Sequence, residues 1–168
     1  MATVHASSNA KATASSVVTV NAAFLQEIKE VNQELWSLLE ELQCHCLPAA
    51  CLSTPLGDLA VMLSELRDQI ALHFALEEAY GYFDEPVFVE PRLCRHAASL
   101  RQEHQSLYLM ISELVDVAED YQFRGAMPHQ ITVLCNQFLA FYDQLQAHEA
   151  RENDLIMQAY EDDIGVGD

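Results

Sequence analysis

Basic residues are scarce in this chain of 168 residues: 8 lysines and arginines stand against 26 aspartates and glutamates, a formal net charge of -18. So acidic a surface repels nucleic-acid phosphates and the anionic face of a membrane, and neither is an expected partner. Glycine and proline are also sparse, 5 of each, as suits a mostly helical domain. Long apolar runs are missing. Nowhere do about 18 apolar residues follow one another, so no membrane-spanning helix is expected. Residues 1–20 lack the apolar stretch of a secretory signal and hold no arginine of the transit-peptide kind. The cysteines number five, an odd count, and without a secretory signal they point to a reducing, cytoplasmic setting. Also absent are a Ser-His-Asp order, a phosphate-cradling glycine loop and a basic-aromatic strip for nucleic acid.

What remains is 51% hydrophobic, enough for one well-filled core. Residues 1–20, rich in Ala, Ser, Thr and Val, show no helical stripe and read as a mobile tail. Four long segments then repeat apolar residues every three or four positions, the helical period. The first runs from about Ala22 to Cys46 through Phe24, Ile28, Val31, Leu35, Leu38, Leu39 and Leu42. The second opens on Thr54-Pro55, a helix-start pair with Thr54 as cap, and follows Leu59, Leu63, Leu66, Ile70, His73, Glu77 and Tyr80. The third begins near Pro91 and follows Leu93, Ala97, Leu100, His104, Leu107, Ile111, Leu114 and Ala118. The fourth begins near Pro128 and follows Ile131, Leu134, Phe138, Phe141, Leu145, His148, Glu152 and Leu155. The links Leu47–Ser53, Phe83–Glu90 and Arg124–Met127 are short and carry the helix breakers. An antiparallel up-down-up-down four-helix bundle is the expected all-α fold. It spans 21–162, followed by a C-terminal tail over 163–168.

Polar residues interrupt three of the stripes. His73 and Glu77 lie four apart, as do His148 and Glu152, so each pair occupies one helix face one turn apart. His104 sits near the middle of the third stripe. At about 1.5 Å per residue the three groups fall at one depth of the bundle. A single histidine on an apolar stripe is commonly a hydrogen-bonded core residue, and a single His-xxx-Glu pair means little. Two such pairs and a third histidine in one layer are a ligand set, since a buried carboxylate is costly without a partner cation. Imidazole with carboxylate suits iron, zinc or manganese. Other histidines read differently: His96 as structural, His5 and His129 as exposed. Glu78 falls off the stripe and reads as solvated. The run Cys44-His45-Cys46…Cys51 has no firm zinc spacing and reads as small residues closing the first helix; Cys94 and Cys135 read as core packing.

The motifs His73-Phe-Ala-Leu-Glu77-Glu78, Glu103-His104 and His148-Glu-Ala-Arg-Glu152 resemble those of the hemerythrin-like, or HHE cation-binding, family, in its order and over about residues 22–160. The resemblance implies a bundle holding a non-haem di-iron centre, with His73, His104 and His148 as terminal ligands and Glu77 and Glu152 as bridging carboxylates. It further implies a protein that binds or senses dioxygen or related oxidants. A di-iron oxidase or peroxide-reducing enzyme is the alternative, as is an interaction scaffold with a degenerate metal site. The chain departs from the family twice. Asn32 stands where the first helix normally supplies a histidine, and faces the site as a weak ligand. Tyr108 stands four residues after His104, where oxygen carriers have a second histidine. Water, Glu27, Tyr80 or Tyr108 are then the groups left to complete the coordination.

Overall fold

The computed structural model describes residues 33–79, 87 and 91–164, with side chains described as far as 158. The expected tail over 1–20, Asn32, Glu27, Tyr80, most of the Phe83–Glu90 link and residues 165–168 lie outside the described residues. All regular structure among the described residues is helical, with no strand. Helix α1 covers 33–46, α2 Leu56–Ala79, α3 Cys94–Arg124 and α4 Pro128–Ile164. A 3-10 turn, Pro91–Leu93, leads into α3.

The helix ends follow from local chemistry. Turns 47–54 close on α1 through Leu47 N–H to Gln43 C=O at 3.1 Å and Cys51 N–H to Leu47 C=O at 2.9 Å. Thr54, expected to cap α2, instead has its hydroxyl against His45 Nδ1 at 3.0 Å. Helix α3 stops at Gly125, whose backbone at φ 82° and ψ 151° is closed to most side-chain-bearing residues and whose N–H bonds Tyr121 C=O. Helix α4 opens on Pro128, with Gln130 reaching back to the Met127 N–H at 2.8 Å. It runs to Ile164, beyond the boundary expected at 162.

The stripes become the core. Leu35, Leu39 and Leu42 of α1, Leu63, Leu66 and Ile70 of α2, Ile111 and Val115 of α3, and Phe138, Phe141 and Leu145 of α4 are wholly buried in one cluster. A smaller cluster of Leu93, Ala97, Leu100 and Leu155 forms separately. Helix α3 packs against both α2 and α4. Gly57, at the start of α2, lies beside Gln122, near the end of α3, while Glu78, near the end of α2, meets His104. Two cysteine expectations divide: Cys135 is buried with Cys46 and Cys51, but Cys94 is exposed, turned off the face that buries Leu93 and Ala97. Contact with the Cys135 thiol, together with burial, pushes Cys46 well above the ordinary thiol range, so it packs as a neutral group.

Candidate metal centre

A single polar layer separates the two apolar clusters. His73 and Glu77 leave α2 about one and two turns past Ile70, His104 leaves α3 between Leu100 and Leu107, and His148 and Glu152 leave α4 between Leu145 and Leu155. All five are buried, none more than 3% exposed. Their depth was legible from helical rise alone; their mutual distances were not.

Two groups of ligand atoms form within the layer, each with its members within 4.8 Å of one another. The first is His104, His148 and Glu152. Glu152 Oε1 lies 3.1 Å from His104 Nε2 and 3.0 Å from His148 Nε2. The second is His73, Glu77 and Glu149, where His73 Nε2 lies 3.1 Å from Glu77 Oε1 and 2.8 Å from Glu149 Oε1. Glu77 reaches both groups, for its other oxygen is 3.5 Å from His104 Nε2. Glu77 Oε2, Glu152 Oε2 and His148 Nε2 are buried without a hydrogen-bond partner among the protein atoms, the last because its approach to Glu152 lacks hydrogen-bonding geometry. Orphaned polar atoms so deep are rare in proteins and call for a partner.

The outer ring nitrogens are held from behind. His104 Nδ1–H donates to Glu78 at 3.0 Å. His148 Nδ1–H donates to Glu103 at 3.0 Å, and Arg151 clasps Glu103 through both oxygens, at 3.0 and 2.6 Å. A neutral imidazole has one N–H and one lone pair, and an ionised carboxylate only accepts. With Nδ1–H committed outward, each ring is left with an Nε2 lone pair about 3 Å from Glu152 Oε1. A cation between them removes that conflict; in its absence a proton must do so. This donor chemistry fits a metal. Two donors about 2.1 Å from one cation, on adjacent corners of an octahedron, lie about 3 Å apart, as the nitrogens and oxygens do here.

The electrostatics agree. Burial, then the charges of Glu152 and Glu149, push Glu77 up to about 10, so it holds a proton at neutral pH. Glu152 is pushed up by burial but pulled down more strongly by His104 and His148, and settles at about 2. His148, disfavoured as a cation by burial, is nonetheless raised by its contacts with Glu152 and Glu103. Protons thus occupy places where a metal would put positive charge.

Phe74 closes the layer. Its ring stacks on His104 at 4.0 Å between centroids and 6° between planes, and stands edge-on to His148 at 5.9 Å. Outside it, a groove of about 510 Å³ is lined by Phe74, Glu78, Arg101, His104, Gln105 and Tyr108. Tyr108, 38% exposed, lines that groove beside His104.

Sequence reasoning missed Glu149, Glu103 and the bond of Glu78 to His104. None of the three lies on an apolar stripe. Glu149 sits about 100° round the helix from His148 and Glu78 about 100° from Glu77, so each reads as solvated until a neighbouring helix is placed beside it. Glu78 is indeed 48% exposed at its side chain, yet bonded to the ring. The hint was an acidic residue adjoining a ligand in each motif. The hemerythrin HHE cation binding domain, as a family, matches residues 23–160. No curated protein and no solved structure matches.

Proposed function

The chain belongs to the hemerythrin HHE cation-binding domain family, and on that premise we propose that it holds two iron ions in the buried layer and binds or senses dioxygen or a related oxidant. The observation that carries the reading is the pair of orphaned carboxylate oxygens, on Glu77 and Glu152, buried in one layer with His73, His104 and His148. His104, His148 and Glu152 would hold one ion, His73 the other, and Glu77 would bridge. Iron, when bound, supplies a redox couple and open coordination for a small ligand; zinc or manganese suits the same donors. The protein's own residues do the rest. Glu78 and Glu103 fix which ring nitrogen faces inward, and Phe74 keeps the layer dry.

The fold reading supporting this is an up-down-up-down bundle with neighbouring helices antiparallel, in keeping with the Gly57–Gln122 and Glu78–His104 pairings. Five free cysteines fit a cytoplasmic setting. No helix among the described residues is long and apolar enough to cross a membrane.

Metal content tests the proposal, measured on protein purified without a metal-affinity tag beside Glu77→Ala. The expected result is about two irons per chain, lost in the variant. A folded wild-type protein with no metal and no anaerobic iron uptake would overturn it. Given iron, a charge-transfer band that comes and goes between nitrogen and air supports oxygen binding. Sustained turnover of peroxide or ferrous iron would move the reading to an oxidase.

A further inference from the structure

From the placement of Glu149 we infer that this residue is a metal ligand in its own right, so that the two positions of the centre are chemically unlike and fill unequally. The inference rests on the two-metal reading above and adds to it a ligand that the motif pattern does not supply. Glu149 follows His148 directly, about 100° round α4. One helix can therefore serve both positions, sending His148 and Glu152 to one and Glu149 to the other. Its Oε1 stands 2.8 Å from His73 Nε2, closer than Glu77 Oε1 at 3.1 Å, and the side chain is only 14% exposed.

Hydrogen bonding alone leaves this arrangement unbalanced. His73 Nε2 carries at most one hydrogen, which cannot be directed fully at both carboxylates. Three carboxylates, Glu77, Glu149 and Glu152, are gathered in the layer, and the charges of Glu152 and Glu149 both bear on Glu77. Two divalent cations offset the three inner carboxylates and Glu78, while Arg151 already answers Glu103. The second cation would give Glu149 a charge partner besides His73.

The two donor sets then differ. His104, His148 and Glu152 present two imidazoles and one carboxylate, a set suited to ferrous iron. His73, Glu77 and Glu149 present one imidazole and two carboxylates, a harder set that takes an oxygen-preferring divalent cation of the iron or manganese kind.

The test is anaerobic titration of chelator-stripped protein with ferrous iron, counting bound equivalents by equilibrium dialysis. It compares wild type, Glu149→Gln, Glu149→Asp and Asp154→Asn, with helical content followed by circular dichroism. A glutamine keeps a carbonyl that can accept from His73 but is a poor ligand. Expected are two equivalents for wild type and Asp154→Asn, and one for Glu149→Gln with the affinity of the remaining equivalent unchanged. Glu149→Asp, its carboxylate withdrawn by one methylene, should weaken the second equivalent selectively and leave the first. Two equivalents of unchanged affinity in Glu149→Gln would overturn the inference and leave Glu149 as a hydrogen-bond acceptor for His73. A matching loss in Asp154→Asn would overturn it too, making the effect one of general charge. A wild-type protein that takes up no iron would sink the two-metal reading itself, a separate outcome.

Discussion

Glu77 is the residue at which burial and charge pull hardest. Its folded-state value near 10 lies above the ordinary 4.5. A raised value means that its stability contribution is fully present below the unfolded pKa and is lost as pH rises through the folded one. His148, also raised, acts in the same direction. The depressed value of Glu152 acts oppositely, but only in strong acid, as pH falls towards about 2. The metal-free protein should therefore melt at steadily lower temperature as pH rises from about 5 to about 9, and Glu77→Gln should remove most of that slope. A flat melting profile for metal-free wild type would count against this account. Glu103 makes a second prediction. Because it holds His148 by Nδ1, Glu103→Gln should weaken metal binding by roughly 10–100-fold while leaving the helices formed. Competition with a calibrated chelator reads that change, and an unaltered affinity would mean the Arg151–Glu103 clasp is ornamental to the site.

At the scale of elements, the helices divide their duties along their length. Each carries apolar residues wherever it meets its neighbours, and α2, α3 and α4 switch to ligand types at one shared depth. A helix can do this because successive side chains on one face are a turn apart, so a layer is one or two residues thick. The turn between α3 and α4 depends on Gly125. A Cβ there meets nothing within 4 Å, yet the backbone sits at φ +82°, so the cost of adding one is strain and not collision. Gly125→Ala should lower stability by about 1–3 kcal/mol without changing metal content. Denaturant unfolding gives the first quantity and metal analysis the second; an undiminished midpoint would show that the turn relaxes freely.

For the whole molecule, the dominant fact is the net charge of -18. Like charges crowded on a small bundle repel one another, and the buried carboxylates add to that repulsion until a cation is bound. Salt shortens the reach of these interactions, to about 10 Å at 0.1 M and about 3 Å at 1 M. The melting temperature of the metal-free protein should therefore rise with sodium chloride, and rise less once metal is loaded. A melting temperature that falls with salt would mean that surface ion pairs such as Arg124–Asp120 outweigh the repulsion.

Hydrophobic periodicity by itself determined the helical class, the buried faces of α2, α3 and α4, and the membership of His73, Glu77, His104, His148 and Glu152 in one layer. Those features depend on a fixed rise and turn per residue, which a chain carries with it wherever it folds. Tertiary structure alone decided the company each residue keeps. Glu149, Glu78 and Glu103 lie at the margins of their stripes and gain meaning only from a ring on a neighbouring helix. Cys94 is exposed although its spacing allowed it to be buried. Tyr108 faces the groove outside Phe74, although its sequence position is the one a second histidine takes in oxygen carriers. The azimuth at which two helices meet is set by how their side chains interlock, and no single helix encodes that.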